Sequence, residues 1–164
     1  MRLPLFLLAG FTLGACGRSP ERGDPPATAM SSTTARPALA AASDTVVVYK
    51  SATCRCCANW VDHMREGGFT VVVHDDADVD QIKRQRGVPS PLASCHTAVV
   101  GPYVLEGHVP AEDVRRLLRE RPAVAGLAVP GMPAGSPGME GVTRDRYDVL
   151  AFDSAGASAT YASH

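Results

Sequence analysis

Thr45-Val46-Val47-Val48-Tyr49-Lys50-Ser51-Ala52-Thr53-Cys54-Arg55-Cys56-Cys57-Ala58-Asn59-Trp60-Val61-Asp62-His63-Met64 carries a strand, a cysteine cluster and the start of a helix in succession. Its first five residues are β-branched or aromatic, the composition of a buried strand. From residue 55 the period changes. Cys57, Trp60, Val61 and Met64 recur at i, i+3, i+4 and i+7, one apolar stripe of a helix over 55–66 that Gly67-Gly68 stops. At the junction lies Cys54-Arg55-Cys56-Cys57, a C-x-x-C made by residues 54 and 57 with an extra thiol inside it. The free N–H groups and dipole of a helix N-terminus favour thiolate, which is both the nucleophile of disulfide exchange and a ligand for soft metals. The spacing places Cys54 at the cap and leans Cys57, one turn on, toward the apolar stripe.

Residues 69–74 read as a second strand. Asp78, with Gln81 three residues on, caps a short helix around Ile82 that ends near Gly87. Pro89 and Pro91 hold an extended loop. Residues 97–100 and 103–105 flank Gly101-Pro102 as a hairpin. Pro110 opens another helix, with Glu112 and Asp113 in its first turn and Arg115, Arg116 and Arg119 later, an order that complements the dipole. Val114, Leu117 and Leu118 supply its buried face. Residues 129–141 read as a Pro/Gly-rich loop carrying Met132 and Met139. Strands over 147–152 and 157–161, joined by Asp153-Ser154-Ala155-Gly156, close the chain. The class is α/β. The order β-α-β-α-β-β-α, with cysteines at the first strand–helix junction, resembles the thioredoxin/glutaredoxin fold, with the terminal β-hairpin as an addition.

Upstream, Met1-Arg2 and an apolar run from Leu3 to Ala15 fit a signal segment over 1–15 that is too short to span a bilayer comfortably. Leu13-Gly14-Ala15-Cys16 resembles the lipobox of bacterial lipoproteins, which makes Cys16 the lipidation candidate; an ordinary cleaved signal is the alternative. Gly17 after it suits release toward the outer membrane. Residues 17–44 are nearly all Ala, Ser, Thr, Pro and Gly with a few charges. They cannot offset their ordering entropy by burial, so 16–44 reads as a lipidated cysteine and a disordered tether. Residues 45–164 then form one domain. The formal charge of −1 and scattered basic residues give no nucleic-acid footprint.

The remaining cysteine, Cys95, acquires meaning from the fold resemblance. In thioredoxin-like domains the loop before the third strand lies against the C-x-x-C and usually carries a cis-proline. Here that place is held by Ser94-Cys95-His96-Thr97, so the resemblance brings Cys95 and His96 to Cys54, Cys56 and Cys57. A plain redox enzyme needs two thiols, and the surplus favours a metal. Two structural disulfides are the competing reading, and thiol–disulfide exchange with Cys54 attacking and Cys57 resolving is another. Zinc ribbons need two separated C-x-x-C pairs, whereas the thioethers of Met132 and Met139 tilt the choice to copper(I). His108, before the Pro110 helix, is a candidate ligand or neighbour of one. His63 lies roughly 10 Å from Cys56 along the helix, too far for a shared mononuclear site. His74 reads as structural and His164 as uninformative. Asp76-x-Asp78-x-Asp80 starts like a calcium loop but lacks its glycine and glutamate.

Residues 49–57, Ser94-Cys95-His96-Thr97, Glu106-Gly107-His108-Val109-Pro110 and the segment 130–139 together resemble the CopG-type metal-binding family, linked to periplasmic copper resistance. The resemblance covers nearly all of residues 45–164. It implies a thioredoxin-like fold with copper at the cysteine cluster. The expected protein is therefore an exported, lipid-anchored envelope protein that buffers, sequesters or transfers copper. Cys54, Cys56, Cys57 and Cys95 are the core ligands and His96, Met132 and Met139 additions, and bridging thiolates permit a multinuclear cluster. Other envelope copper-handling or thiol-redox proteins are the expected partners. An oxidoreductase using Cys54 and Cys57 remains the alternative.

Overall fold

The computed structural model describes residues 44–75 and 78–164. The signal segment, Cys16 and the tether through residue 43 lie outside the described residues, as does Asp76. Asp44, assigned to the tether, already touches the sheet: its carbonyl accepts from Thr70 N at 3.0 Å. No helix among the described residues is long and apolar enough to cross a membrane.

The strands are β1 (Thr45–Tyr49), β2 (Thr70–His74), β3 (Thr97–Val100), β4 (Tyr103–Gly107), β5 (Gly126–Val129), β6 (Asp148–Phe152) and β7 (Ser158–Ser163). The helices are α1 (Arg55–Glu66), α2 (Val79–Gln85) and α3 (Ala111–Glu120), and Ser90–Leu92 forms a 3₁₀ turn in the loop expected to be extended. One seven-stranded sheet runs β2-β1-β3-β4-β5-β6-β7. β1 pairs with β2, and β4 with β5, in parallel; the other neighbours are antiparallel. The order βαβαββα expected from the sequence is that of β1 to α3, which supports the thioredoxin-like reading. β6 and β7 form the expected terminal hairpin.

β5 is a correction, because the sequence reading places no strand there. Gly126, Leu127, Ala128 and Val129 are all buried, in a strand parallel to β4 and antiparallel to β6 that is covered on both faces, so no alternation marks them. The strand joins the hairpin to the sheet and delivers the chain into the Pro/Gly-rich loop.

The stripe of α1 (Trp60, Val61, Met64) and that of α3 (Val114, Leu117, Leu118) pack with Val46, Val48, Ala98, Val100, Leu105 and Leu127 in the main core. Leu92, Val104, Ala128 and Phe152 form a smaller cluster. Asp78 caps α2 as its spacing indicates, accepting from Gln81 N at 3.0 Å.

α3 has no side-chain cap of its own; its N-cap is Pro110. His63 supplies one from α1, its Nε2 accepting the Ala111 N–H at 3.0 Å. Burial lowers the His63 pKa from its ordinary value. In the unfolded chain the ring titrates near pH 6.5. Below that pH the unfolded state binds the extra proton first. The stabilisation is therefore complete above about pH 6.5 and is lost as pH falls through the lower folded value. His63→Leu should cost about 1 kcal/mol at pH 7.5, the usual worth of a cap. Its melting temperature should also fall less steeply than that of the wild type between pH 7.5 and 5. Equal slopes in thermal melts would remove His63 from this role.

His164, read as uninformative, is instead latched. Its Nε2 lies 2.8 Å from Asp113 Oδ2, and its ring stacks on Tyr147 at 5.2 Å. His74 stacks on Tyr49 at 5.0 Å, a structural role as expected.

Candidate metal centre

Cys54 is the N-cap of α1, half-buried and in extended backbone, with no side-chain hydrogen bond to the helix. Cys57 is fully buried on the stripe that meets the core. The two are joined as a disulfide across a Cα–Cα distance of 5.3 Å, while Cys56 and Cys95 are free thiols. Two of the four candidate sulfurs are thus oxidised in this structure. The Cys56 sulfur stands 3.6 Å from that of Cys54.

Cys95 enters from the segment between the 3₁₀ turn and β3. The Cys57 sulfur lies 3.9 Å from its carbonyl, and the sulfurs of Cys54, Cys56, Cys57 and Cys95 all fall within 4.8 Å of one another. The convergence expected from the fold resemblance is present. A second group shares Cys95: its sulfur is 3.3 Å from His96 Nδ1 and 3.0 Å from His108 Nε2, and these three atoms also lie within 4.8 Å of one another.

Both imidazoles are prepared as neutral nitrogen donors. His108 Nδ1 donates to the Pro137 carbonyl at 2.7 Å, which leaves Nε2 unprotonated toward Cys95. His96 is fully buried, tilted against Trp60 at 4.4 Å, and Trp60 is itself held by its indole N–H on the Val109 carbonyl at 2.9 Å. Burial, then the nearby His108, Lys83 and Lys50, hold the His96 pKa well below its usual value. Burial lowers that of His108 as well. Burial and the neighbouring Cys56 push the Cys95 thiol up to about 11. Without a cation Cys95 is therefore a protonated thiol at neutral pH, and a bound metal would displace that proton. Thiols, two neutral imidazoles and a thioether form a soft donor set that suits a metal such as copper far better than magnesium or calcium.

The loop after β5 closes over the cluster. Ser94 and Gly131 form a parallel bridge, and the Ser94 hydroxyl donates to the Gly131 carbonyl. Met132, 52% exposed, brings its sulfur to 4.0 Å from that of Cys56. Gly138, at φ +86°, lies so close to α1 that a Cβ would stand 2.6 Å from the Cys56 carbonyl and 2.8 Å from Trp60 N. Only glycine fits that approach. Met139 takes part through its backbone, its N–H on the Ser136 carbonyl at 2.8 Å and its carbonyl accepting from Gly135 N at 2.9 Å. The structure thus brings Cys54, Cys56, Cys57, Cys95, His96 and Met132 together. It adds His108, which the sequence offered only as a candidate.

A family model described as a protein of unknown function, DUF411, matches residues 92–139. That span contains Cys95, His96, His108, Met132 and Met139. Among curated proteins nothing matches the chain. Two solved structures titled copper resistance protein CopG, Form 2 and Form 1, are each 43% identical to the chain with a TM-score of 0.69. Each match covers 73% of this chain, and 97% and 96% respectively of those proteins.

Proposed function

The chain belongs to the family of copper resistance protein CopG, and from that premise we propose that it binds copper(I) to buffer, sequester or hand it on in the bacterial envelope. The observation that carries this reading is the meeting of four cysteine sulfurs within 4.8 Å of one another, with His96 and His108 on one of them. Cys54, Cys56, Cys57 and Cys95 would hold the copper as thiolates, His96 and His108 would add nitrogen, and Met132 would stand at the exposed side. Bridging thiolates suit more than one copper ion per chain. The Cys54–Cys57 disulfide must open before all four sulfurs can act, so the reduced chain is the copper-binding form. The test is whether the reduced chain takes copper(I) from a competing chelator and the disulfide-closed chain does so less tightly.

The same disulfide favours a second reading, a thiol–disulfide exchanger in which Cys54 and Cys57 cycle against a partner dithiol. Its sign would be that exchange survives Cys95→Ser.

The envelope location is part of the proposal and rests on residues 1–16. Acylation at Cys16 would tether the domain to the periplasmic face of a membrane, and the outer membrane suits Gly17. Intact mass should show the acyl group on the wild type and lose it in Cys16→Ser. A soluble wild type without acyl mass would end the lipoprotein reading.

A further inference from the structure

We propose that Glu106 is a positioning residue for the metal centre, its buried carboxylate holding the Ser94–Thr97 segment so that Cys95 and His96 meet the sulfurs of α1. This rests on the reading of Cys95 as a copper ligand.

Glu106 lies on β4 and is fully buried. It accepts three hydrogen bonds: from Ser94 N at 2.5 Å, from Lys83 Nζ at 2.6 Å and from the Thr97 hydroxyl at 2.7 Å. Lys83, on α2 and 8% exposed, also donates to Thr97 Oγ1 at 3.1 Å. Ser94 and Thr97 bracket the two residues that carry the sulfur and the imidazole. One carboxylate therefore ties both ends of Cys95-His96 and links them to a helix. The ladder of β3 holds Thr97, whose Cα partner is Glu106, but Ser94 lies outside that strand. Without Glu106 its N–H would lose its acceptor. An apolar pair of similar volume could replace a buried ion pair at little cost to stability, but it could not take the Ser94 N–H. What the carboxylate adds is the geometry of the cysteine-bearing segment.

The next residues extend the device. Gly107, at φ +69°, approaches Ser94 so closely that a Cβ would lie 2.5 Å from its Oγ. The Gly107 N–H donates to the His96 carbonyl at 3.0 Å. His108 then turns its Nε2 onto the Cys95 sulfur at 3.0 Å. The tripeptide Glu106-Gly107-His108 thus supplies the anchor, the clearance and a nitrogen to one thiol.

The experiment compares the reduced full chain with two paired variants and with Cys95→Ser, under oxygen-free conditions. Glu106→Leu with Lys83→Met removes the acceptor without stranding a charge. Glu106→Gln with Lys83→Met removes the charges but keeps an oxygen for Ser94 N. Two readouts are taken: competition with a copper(I) chelator, and the alkylation rates of Cys95 and Cys56 in metal-free protein. The Leu/Met variant should melt cooperatively, lose about tenfold in copper(I) affinity, and alkylate Cys95 severalfold faster with Cys56 unchanged. The Gln/Met variant should recover both properties. Wild-type Cys95 alkylation and wild-type copper affinity in the Leu/Met variant would overturn the positioning role. If that variant does not fold, Thr97→Val decides. Loss of one tie should speed Cys95 alkylation, and an unchanged rate would overturn the role. Cys95→Ser separates the two claims. Copper binding as tight as wild type there would end the ligand reading, while the metal-free alkylation rates would still decide the placement of the segment.

Discussion

Cys95→Ser should weaken copper(I) binding by about 100-fold or more, the largest functional effect of any single substitution in the domain. The thiol is the meeting point of two donor groups, one of four sulfurs and one with His96 and His108. Removing it deletes a preferred soft anion and leaves two imidazoles facing a hydroxyl. A loss of 100-fold corresponds to about 2.7 kcal/mol of binding free energy. Stability should change little, because Cys95 is half-buried and forms no disulfide. Met132→Leu should act in the same direction but far more weakly, since a neutral thioether beside Cys56 at the exposed side contributes less than a thiolate. Competition titrations on the reduced variants measure both, and equal losses for the two would contradict the assignment of roles.

Glu106→Ala alone should have the largest effect on stability, about 3–5 kcal/mol. It strands the Lys83 ammonium, 8% exposed, with the Thr97 hydroxyl at 3.1 Å as its one remaining partner among the described residues. It also removes the acceptor of Ser94 N. Against a typical stability of about 5–15 kcal/mol, a loss of that size brings the domain near unfolding at moderate temperature. Chemical denaturation checks this. Removing both charges together should cost much less, so a double variant no more stable than the single one would contradict the account.

How much of this was legible in the chain follows from how local each signal is. The helix over 55–66 and the cap at Asp78 were legible because a few consecutive residues carry them. The place of Cys95 was legible only through the fold resemblance. Residues 57 and 95 meet because β3 lies beside β1, and no spacing along the chain encodes that. β5 was hidden by its complete burial, which erases alternation. The His63 cap on α3 spans 48 residues and joins an imidazole to a backbone N–H, a pairing with no compositional mark. The Lys83–Glu106 pair left one clue, a carboxylate directly after the apolar run Tyr103-Val104-Leu105. His108 was ambiguous because its anchor, the Pro137 carbonyl, lies in a loop 29 residues away.

On the proposed reading, the four sulfurs of the reduced domain act together on copper. The most direct measurement is anaerobic competition for copper(I) between a chelator and the chain in its fully reduced and Cys54–Cys57 disulfide forms, followed by alkylation of every cysteine with copper bound. Tighter binding by the reduced form, with Cys54, Cys56, Cys57 and Cys95 all shielded until the chelator strips the metal, is the predicted result. Equal affinity in the two forms, with the four thiols alkylated as fast with copper as without it, would contradict the account.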